Sequence, residues 1–248
     1  MNLQTFKIFV IISSCSVIIP LLIYLLMFRK LPKANHIVGI YIIVATGCDI
    51  IVNILGYQKM SNVIPINAYY VSTFILVSYF YFELIFKKRL NHIVSCAVII
   101  YVLSAGFGII RAGFDQYFNL LWAVGAFLVG SYGVIYIINL QDMTVDRLLD
   151  KNLYSYRIIN ASFLSYFLIT LLLFVSTNYV FTETDPDTSR IFWSLHNVAN
   201  TLKNIGLAIG LYYTGRRDVK TTLLEIERIG RERTGELHDQ ISSGHFKT

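Results

Sequence analysis

The chain has few charged residues for its length. Lysine, arginine, aspartate and glutamate make up 15% of its 248 residues, whereas soluble domains carry about 25%. Hydrophobic residues account for 55% of the chain, and its mean hydropathy is +0.59. This composition excludes an ordinary soluble domain and predicts an integral membrane protein whose main partner is the lipid bilayer.

Proline and cysteine are also scarce, and the common motifs of metal and nucleotide chemistry are missing. The chain has four prolines and three cysteines, and Cys15, Cys48 and Cys96 all lie in hydrophobic runs, where they are expected to act as small apolar residues. The sequence contains no CxxC, no HExxH and no glycine-rich phosphate loop, so it predicts no metal site. We find no internal repeat that would favour an inverted-repeat transporter.

Seven hydrophobic runs are long enough to cross a bilayer, which needs roughly 20 apolar residues per helix. A stretch such as FLITLLLFV, at positions 167–175, does not alternate as the strands of a membrane β-barrel do. The sequence therefore predicts an all-α integral membrane protein with seven transmembrane helices. The expected spans are 6–28, 37–55, 64–86, 93–110, 120–140, 158–181 and 191–213.

Basic residues predict the orientation, because cytoplasmic loops are enriched in lysine and arginine. With the N-terminus outside, nine basic residues fall in the cytoplasmic loops and four on the outer side, while the acidic loop 182–190, Trp122 and Trp193 fall outside. We therefore expect an N-out, C-in multi-pass protein of the cell membrane. Its net charge of +6 is explained by topology and by attraction to anionic lipid, so no nucleic-acid partner is expected. The nine cytoplasmic residues are Arg29, Lys30, Lys33, Lys87, Lys88, Arg89, Arg147, Lys151 and Arg157, and the four outer ones are Lys7, Lys59, Arg111 and Arg190.

The seventh run carries polar residues at membrane depth. His196, Asn200, Lys203 and Asn204 are spaced i, i+4, i+7 and i+8, so they share one helix face. A lysine near the middle of the bilayer costs at least about 2.5 kcal/mol unless it is paired or hydrated. This face is therefore expected to point into the bundle.

The second run offers a partner for this lysine. Asp49 and Asn53 are four residues apart, and the flexible stem of Lys203 could reach outward to Asp49. We predict an Asp49–Lys203 pair in the outer half of the bundle. Two interpretations remain open: a structural clamp between helices, or a ligand or ion site that opens outward. The candidate residues are Asp49, Asn53, His196, Asn197, Asn200 and Lys203.

The lysine does not by itself predict a cofactor. Microbial rhodopsins also have a lysine in their seventh helix, but they carry an aspartate four residues before it, and Ala199 occupies that position here. Glu83, near the Lys87-Lys88-Arg89 run, is expected to be an interfacial ion-pair partner. We expect no cofactor.

The last residues differ sharply in composition from the rest of the chain. Charged side chains dominate after Tyr213, while Val219, Leu223 and Ile226 keep the apolar a/d spacing of a coiled coil. This pattern predicts a cytoplasmic helix that leaves the membrane and pairs with a second copy of itself. The chain thus divides into a seven-helix membrane domain, 1–213, and a cytoplasmic segment, 214–248.

Within that segment, ELHDQISS at positions 236–243 resembles the phosphoacceptor box of sensor histidine kinases. The resemblance implies that His238 accepts phosphate and that Asp239 orients the imidazole and takes its proton. It also implies a two-component response regulator as a partner and makes residues 1–213 a membrane sensor domain. The 248 residues include none of that family's nucleotide-binding motifs, so we expect no kinase activity from this chain alone and a separate ATP-binding kinase domain. The alternative function is a small transporter or channel with a polar site between helices 2 and 7.

The topology can be tested by cysteine labelling in cells, after replacement of the three native cysteines. A cysteine at Asp185 should react with a membrane-impermeant reagent from outside only, and one at Lys220 from inside only. The reverse pattern would overturn the orientation.

Overall fold

The structure, a computed structural model, describes residues 3–85, 87–113, 116, 118–141, 150–183 and 186–214. It is helical: the regular elements in these ranges are α-helices and one short 3₁₀ turn, Phe28–Lys30. The helices are α1 (Leu3–Ser16), α2 (Ile18–Met27), α3 (Lys33–Tyr57), α4 (Val63–Leu84), α5 (Lys88–Ala112), α6 (Asn119–Gln141), α7 (Leu153–Glu183) and α8 (Pro186–Tyr212).

Six helical segments in the described ranges are long and apolar enough to cross a membrane: Leu3–Lys30, Lys33–Tyr57, Val63–Leu84, Lys88–Arg111, Asn119–Leu140 and Leu153–Ser176. They correspond in order to the first six predicted spans. The seventh predicted span, 191–213, forms α8, but this helix does not reach the same hydropathy. The chain is therefore an all-helical protein with six candidate membrane-spanning helices.

Helix α8 is nevertheless apolar on one side. Its exposed large hydrophobic side chains recur every three or four residues, which is the spacing of a single helix face. The polar residues of the opposite face lower the average hydropathy of the whole helix. The exposed stripe is Leu195, Val198, Leu202, Ile205 and Ile209.

The helices depart from the predicted pattern at two points, although the first predicted span remains one membrane-length segment, Leu3–Lys30. The first run forms two helices that meet at Val17, because Pro20 has no backbone N–H to continue the hydrogen-bond ladder across this point. The predicted outer loop 182–190 is mostly helical, since α7 continues to Glu183 and α8 begins at Pro186. Proline at the first position of a helix is favourable because its N–H would be unpaired there anyway.

The helices form a closed ring with one helix outside it. Around the ring, α2 packs on α3, α3 on α4, α4 on α6, α6 on α7, α7 on α8 and α8 on α2. Helix α1 extends the α2 side along α8, whereas α5 packs only on the outside, against α4 and α6. Buried side chains of α5, such as Tyr101, which stacks on Phe74, join the core from that side.

One end of the bundle is densely packed. We call it the basic end: α3 and α7 begin there and α4 and α8 end there. The largest fully buried side chains all lie within about 15 Å of this end, at 1.5 Å of helix rise per residue. They include Ile42, Phe80, Tyr136, Phe163 and Leu211. The opposite end, where α3 ends and α4 and α6 begin, is called the cavity end.

Polar contacts hold the helix ends together at the basic end. Lys33 Nζ lies 2.7 Å from Glu83 Oε1, which confirms the expected ion pair of Glu83, although its partner lies on α3 and not in the Lys87–Arg89 run. Asn35 Nδ2 donates to Ser155 Oγ at 3.0 Å and to Thr214 Oγ1 at 2.6 Å. This Asn35–Ser155–Thr214 triad is buried and fixes the end of α8 to α3 and α7.

A glycine in α3 tests the close packing of α2 on α3. A Cβ at Gly39 would overlap the ring of Tyr24, which is itself buried and held by Phe28 and His36. Gly39→Ala should therefore lower the free energy of unfolding by about 1–3 kcal/mol. The control is Gly47→Ala in the same helix, where nothing lies within 4 Å; it should be neutral or stabilising, since alanine favours helix. Denaturant unfolding in detergent measures both, and equal effects would contradict the packing.

Candidate functional site

A cavity of about 640 Å³ occupies the cavity half of the ring. Side chains from α3, α4, α6, α7 and α8 line it, together with Val17. It reaches the cavity end, because Asn62 and Asn119, at the first turns of α4 and α6, belong to its wall. Pockets of 300–1,000 Å³ are typical of small-molecule sites.

One wall of the cavity is polar. It is built from α8, whose residues at i, i+4, i+7 and i+8 point inward as the spacing predicted, and from one residue of α3. These side chains are Asp49, His196, Asn200, Lys203 and Asn204.

The facing wall is aromatic. Tyr70 stacks on Trp122 with ring centroids 4.3 Å apart, and Phe174 lies 5.2 Å from Tyr70 and 5.3 Å from Trp122. These three rings come from α4, α6 and α7. Trp122 was expected to be an interface anchor, but it is only 5% exposed and forms part of the cavity. The other tryptophan of the chain, Trp193, also lines the cavity.

Lys203 is the centre of the polar wall and is 1% exposed. Its Nζ donates to Tyr41 Oη at 2.6 Å and to Asn200 Oδ1 at 2.7 Å. It also lies 4.3 Å from the ring centroid of Tyr166. Oxygen acceptors and aromatic faces both favour a cation, so they offset part of the cost of burying an ammonium group at this depth.

The predicted Asp49–Lys203 ion pair is not formed. Within the described ranges the structure shows an ion pair between Lys33 and Glu83 but none at Asp49, whose carboxylate accepts no side-chain hydrogen bond there. Lys203 and Tyr41 both lie about 25 Å of helix rise from the cavity ends of their helices, whereas Asp49 lies about 12 Å from the end of α3. The lysine therefore finds its acceptors in Tyr41 and Asn200 and not in Asp49.

Two residues of α1 hold the asparagines of the polar wall from behind, outside the cavity lining. Asn200 Nδ2 donates to Ser13 Oγ at 2.9 Å, and Asn204 Nδ2 donates to Ser16 Oγ at 2.8 Å. The sequence reasoning missed these serines. Their spacing of three residues in the first hydrophobic run was the available signal, since it puts both hydroxyls on one helix face.

The remaining predicted site residues differ in their placement. His196 lines the cavity; its ring packs on Tyr166 and Trp193, and its Nδ1 is buried without a hydrogen-bond partner among the described residues. Asn53 and Asn197 are not part of the cavity wall. Asn53 is exposed, and its Nδ2 donates to the backbone oxygen of Asp49 at 2.7 Å.

No metal centre is found in the part of the chain that the structure describes: it holds no group of three or more His, Cys, Asp or Glu side chains that could bind an ion. His238 and Asp239, with the whole predicted cytoplasmic helix, lie outside the described residues.

Comparisons with protein families, with curated proteins and with solved structures found no match to this chain.

Double-mutant cycles can show which partner stabilises Lys203. Lys203→Met combined with Tyr41→Phe should give a coupling energy of about 1–3 kcal/mol in detergent unfolding, because the two atoms share a charge-assisted hydrogen bond. The matched cycle with Asp49→Asn should give a smaller coupling energy than the Tyr41 cycle, because neither a hydrogen bond nor an ion pair joins Asp49 to Lys203. A larger coupling to Asp49 than to Tyr41 would restore the ion pair that the sequence predicted.

Proposed function

We propose that this chain is the membrane input region of a two-component sensor histidine kinase. In this proposal a small molecule enters the cavity from outside the cell, and its binding changes the cytoplasmic segment that carries His238. The observation that carries the proposal is the order of the two parts along the chain. Helix α8 supplies Lys203, Asn200 and His196 to the cavity and ends at Tyr212, and Glu236-Leu237-His238-Asp239 begins 24 residues later.

The proposal includes seven membrane crossings. Helix α8 has 27 residues, which at 1.5 Å per residue is long enough to cross a bilayer. Its apolar stripe faces outward, while its polar residues contact other helices or the cavity. Such an arrangement suits a helix that crosses the membrane at the rim of a bundle, because lipid then meets only its apolar face.

The proposal also places the basic end in the cytoplasm. Lys33 and the Lys87–Arg89 run lie at that end, and the positive-inside rule favours it for the cytoplasmic side. The cavity then opens outward, toward extracellular stimuli. The last described residue, Thr214, lies in the buried triad at the cytoplasmic end, from which the cytoplasmic segment continues.

The packing favours a sensor over an open channel. The cavity reaches the cavity end of the ring, and the region toward the basic end is filled by large buried side chains such as Phe80, Tyr81 and Phe163. A closed floor suits a binding pocket whose occupancy shifts the balance between two helix arrangements. The rival, a transporter whose path passes Asp49 and Lys203, would need this floor to open.

The kinase assignment can be tested by phosphate transfer. Given ATP, magnesium and the ATP-binding domain of a kinase from the resembling subfamily, the protein should gain an acid-labile, base-stable phosphate at His238. His238→Gln should abolish the label, and Asp239→Asn should slow it, because the carboxylate takes the proton of the attacking imidazole. The phosphate on the protein is measured with ATP that carries a radioactive γ-phosphate.

The cytoplasmic segment contains a second histidine, His245, which provides a matched control. His245→Gln should leave the label unchanged. Failure of several competent donor domains to label His238 would contradict the kinase proposal. Solute flux through proteoliposomes that Lys203→Met abolishes would then support the transporter.

A further inference from the structure

The cavity contains two groups of opposite charge that do not contact each other. Asp49 and Lys203 both line it, but they lie too far apart for an ion pair. The ammonium of Lys203 can donate three hydrogen bonds and uses two, to Tyr41 and Asn200. The carboxylate of Asp49 has no hydrogen-bond donor among the described side chains.

The aromatic wall excludes an inorganic ion as the natural occupant of the whole cavity. Tyr70, Trp122 and Phe174 present ring surface opposite the charged groups, and an ion held at Lys203 or Asp49 would leave this surface and most of the 640 Å³ unused. Aromatic side chains instead favour a flat apolar body of similar size. The two walls together therefore describe an occupant with one apolar side and one charged side.

We propose that the cavity binds a small dipolar molecule that carries a carboxylate and an ammonium beside an aromatic or similarly flat body. This inference rests on the proposed role of the cavity as the sensing site. The carboxylate of the molecule contacts the Lys203 ammonium at the cavity floor, and its ammonium contacts Asp49 nearer the mouth. Its ring lies against Tyr70, Trp122 and Phe174.

The charges of the cavity require both groups on the same molecule. A simple anion that reached Lys203 would leave the partly buried carboxylate of Asp49 without a partner and add a second negative charge near it, which is costly in a partly desolvated site. A simple cation at Asp49 would likewise add a second positive charge near Lys203 and leave its ammonium without a negative partner. An aromatic amino acid offers both charges and the ring.

Intrinsic tryptophan fluorescence gives a direct test, because both tryptophans of the chain, Trp122 and Trp193, line the cavity. The reference probe is L-phenylalanine, which has all three groups. Each of the others lacks one of them: 3-phenylpropanoate lacks the ammonium, 2-phenylethylamine the carboxylate and L-alanine the ring. L-Phenylalanine should change the emission of the purified protein at the lowest concentration. Each of the other three should need a concentration at least roughly tenfold higher for the same change, since each loses a charge-assisted contact or the ring contacts.

Two variants assign the contacts on the protein. Lys203→Met should weaken phenylalanine binding roughly tenfold and leave 2-phenylethylamine unaffected, because that probe has no carboxylate to lose. Asp49→Asn should weaken phenylalanine similarly and leave 3-phenylpropanoate unaffected. The control is Lys7→Met, which removes an exposed lysine of α1 outside the cavity wall and should change nothing.

The wild-type series decides the proposal even if Lys203→Met does not fold. Equal affinities for phenylalanine and either single-charge analogue, or no response to any probe at millimolar concentration, would overturn it. His238 labelling keeps this result separate from the proposed function. Selective phenylalanine binding without any effect on labelling would support the ligand class and contradict the sensor proposal. Labelling of His238 without selective binding would support the sensor proposal and contradict the ligand class.

Discussion

The buried amino group of Lys203 is the interaction on which the rest of the cavity half depends. A lysine at membrane depth costs at least about 2.5 kcal/mol when it is left alone, so the bundle must supply acceptors around it. Tyr41 of α3, Asn200 of α8 and the ring of Tyr166 on α7 do so. Through Asn200 the same network reaches Ser13 on α1. Loss of any one helix from this arrangement would expose the cation to apolar surroundings.

The two halves of the ring differ in how they are stabilised. At the basic end, large apolar and aromatic side chains fill the interior, and the Asn35–Ser155–Thr214 triad fixes the helix ends. At the cavity end, hydrogen bonds between α1 and α8 and aromatic contacts among α4, α6 and α7 hold the helices around open space. The proposed sensing function depends on this difference, because above a filled floor a ligand can act on helix positions without forming a pore. Helix α8 contributes to both halves.

The walls of the cavity come from different sets of helices, and this division gives it an amphipathic character. Helices α3 and α8 supply the charges, whereas α4, α6 and α7 supply the rings. Helix α5 lies outside the ring and contributes to neither. A ligand that contacts both walls would bridge helices that are far apart in sequence. That is the requirement for coupling occupancy to a change in helix arrangement.

The sequence alone determined the helical class, the first six candidate spans and the inward face of α8, because composition, run length and the 3.6-residue period are local properties. It also identified Lys203, Asn200, His196 and Asp49, since buried polar groups are conspicuous in apolar helices. Only the tertiary structure decided which groups meet. Lys203 contacts Tyr41 and not Asp49 because of where these residues lie along their helices. The order of helices in the ring determines that Tyr70, Trp122 and Phe174, of 36 aromatic residues, form the aromatic wall. These choices depend on contacts between helices distant in the chain, about which periodicity carries no information.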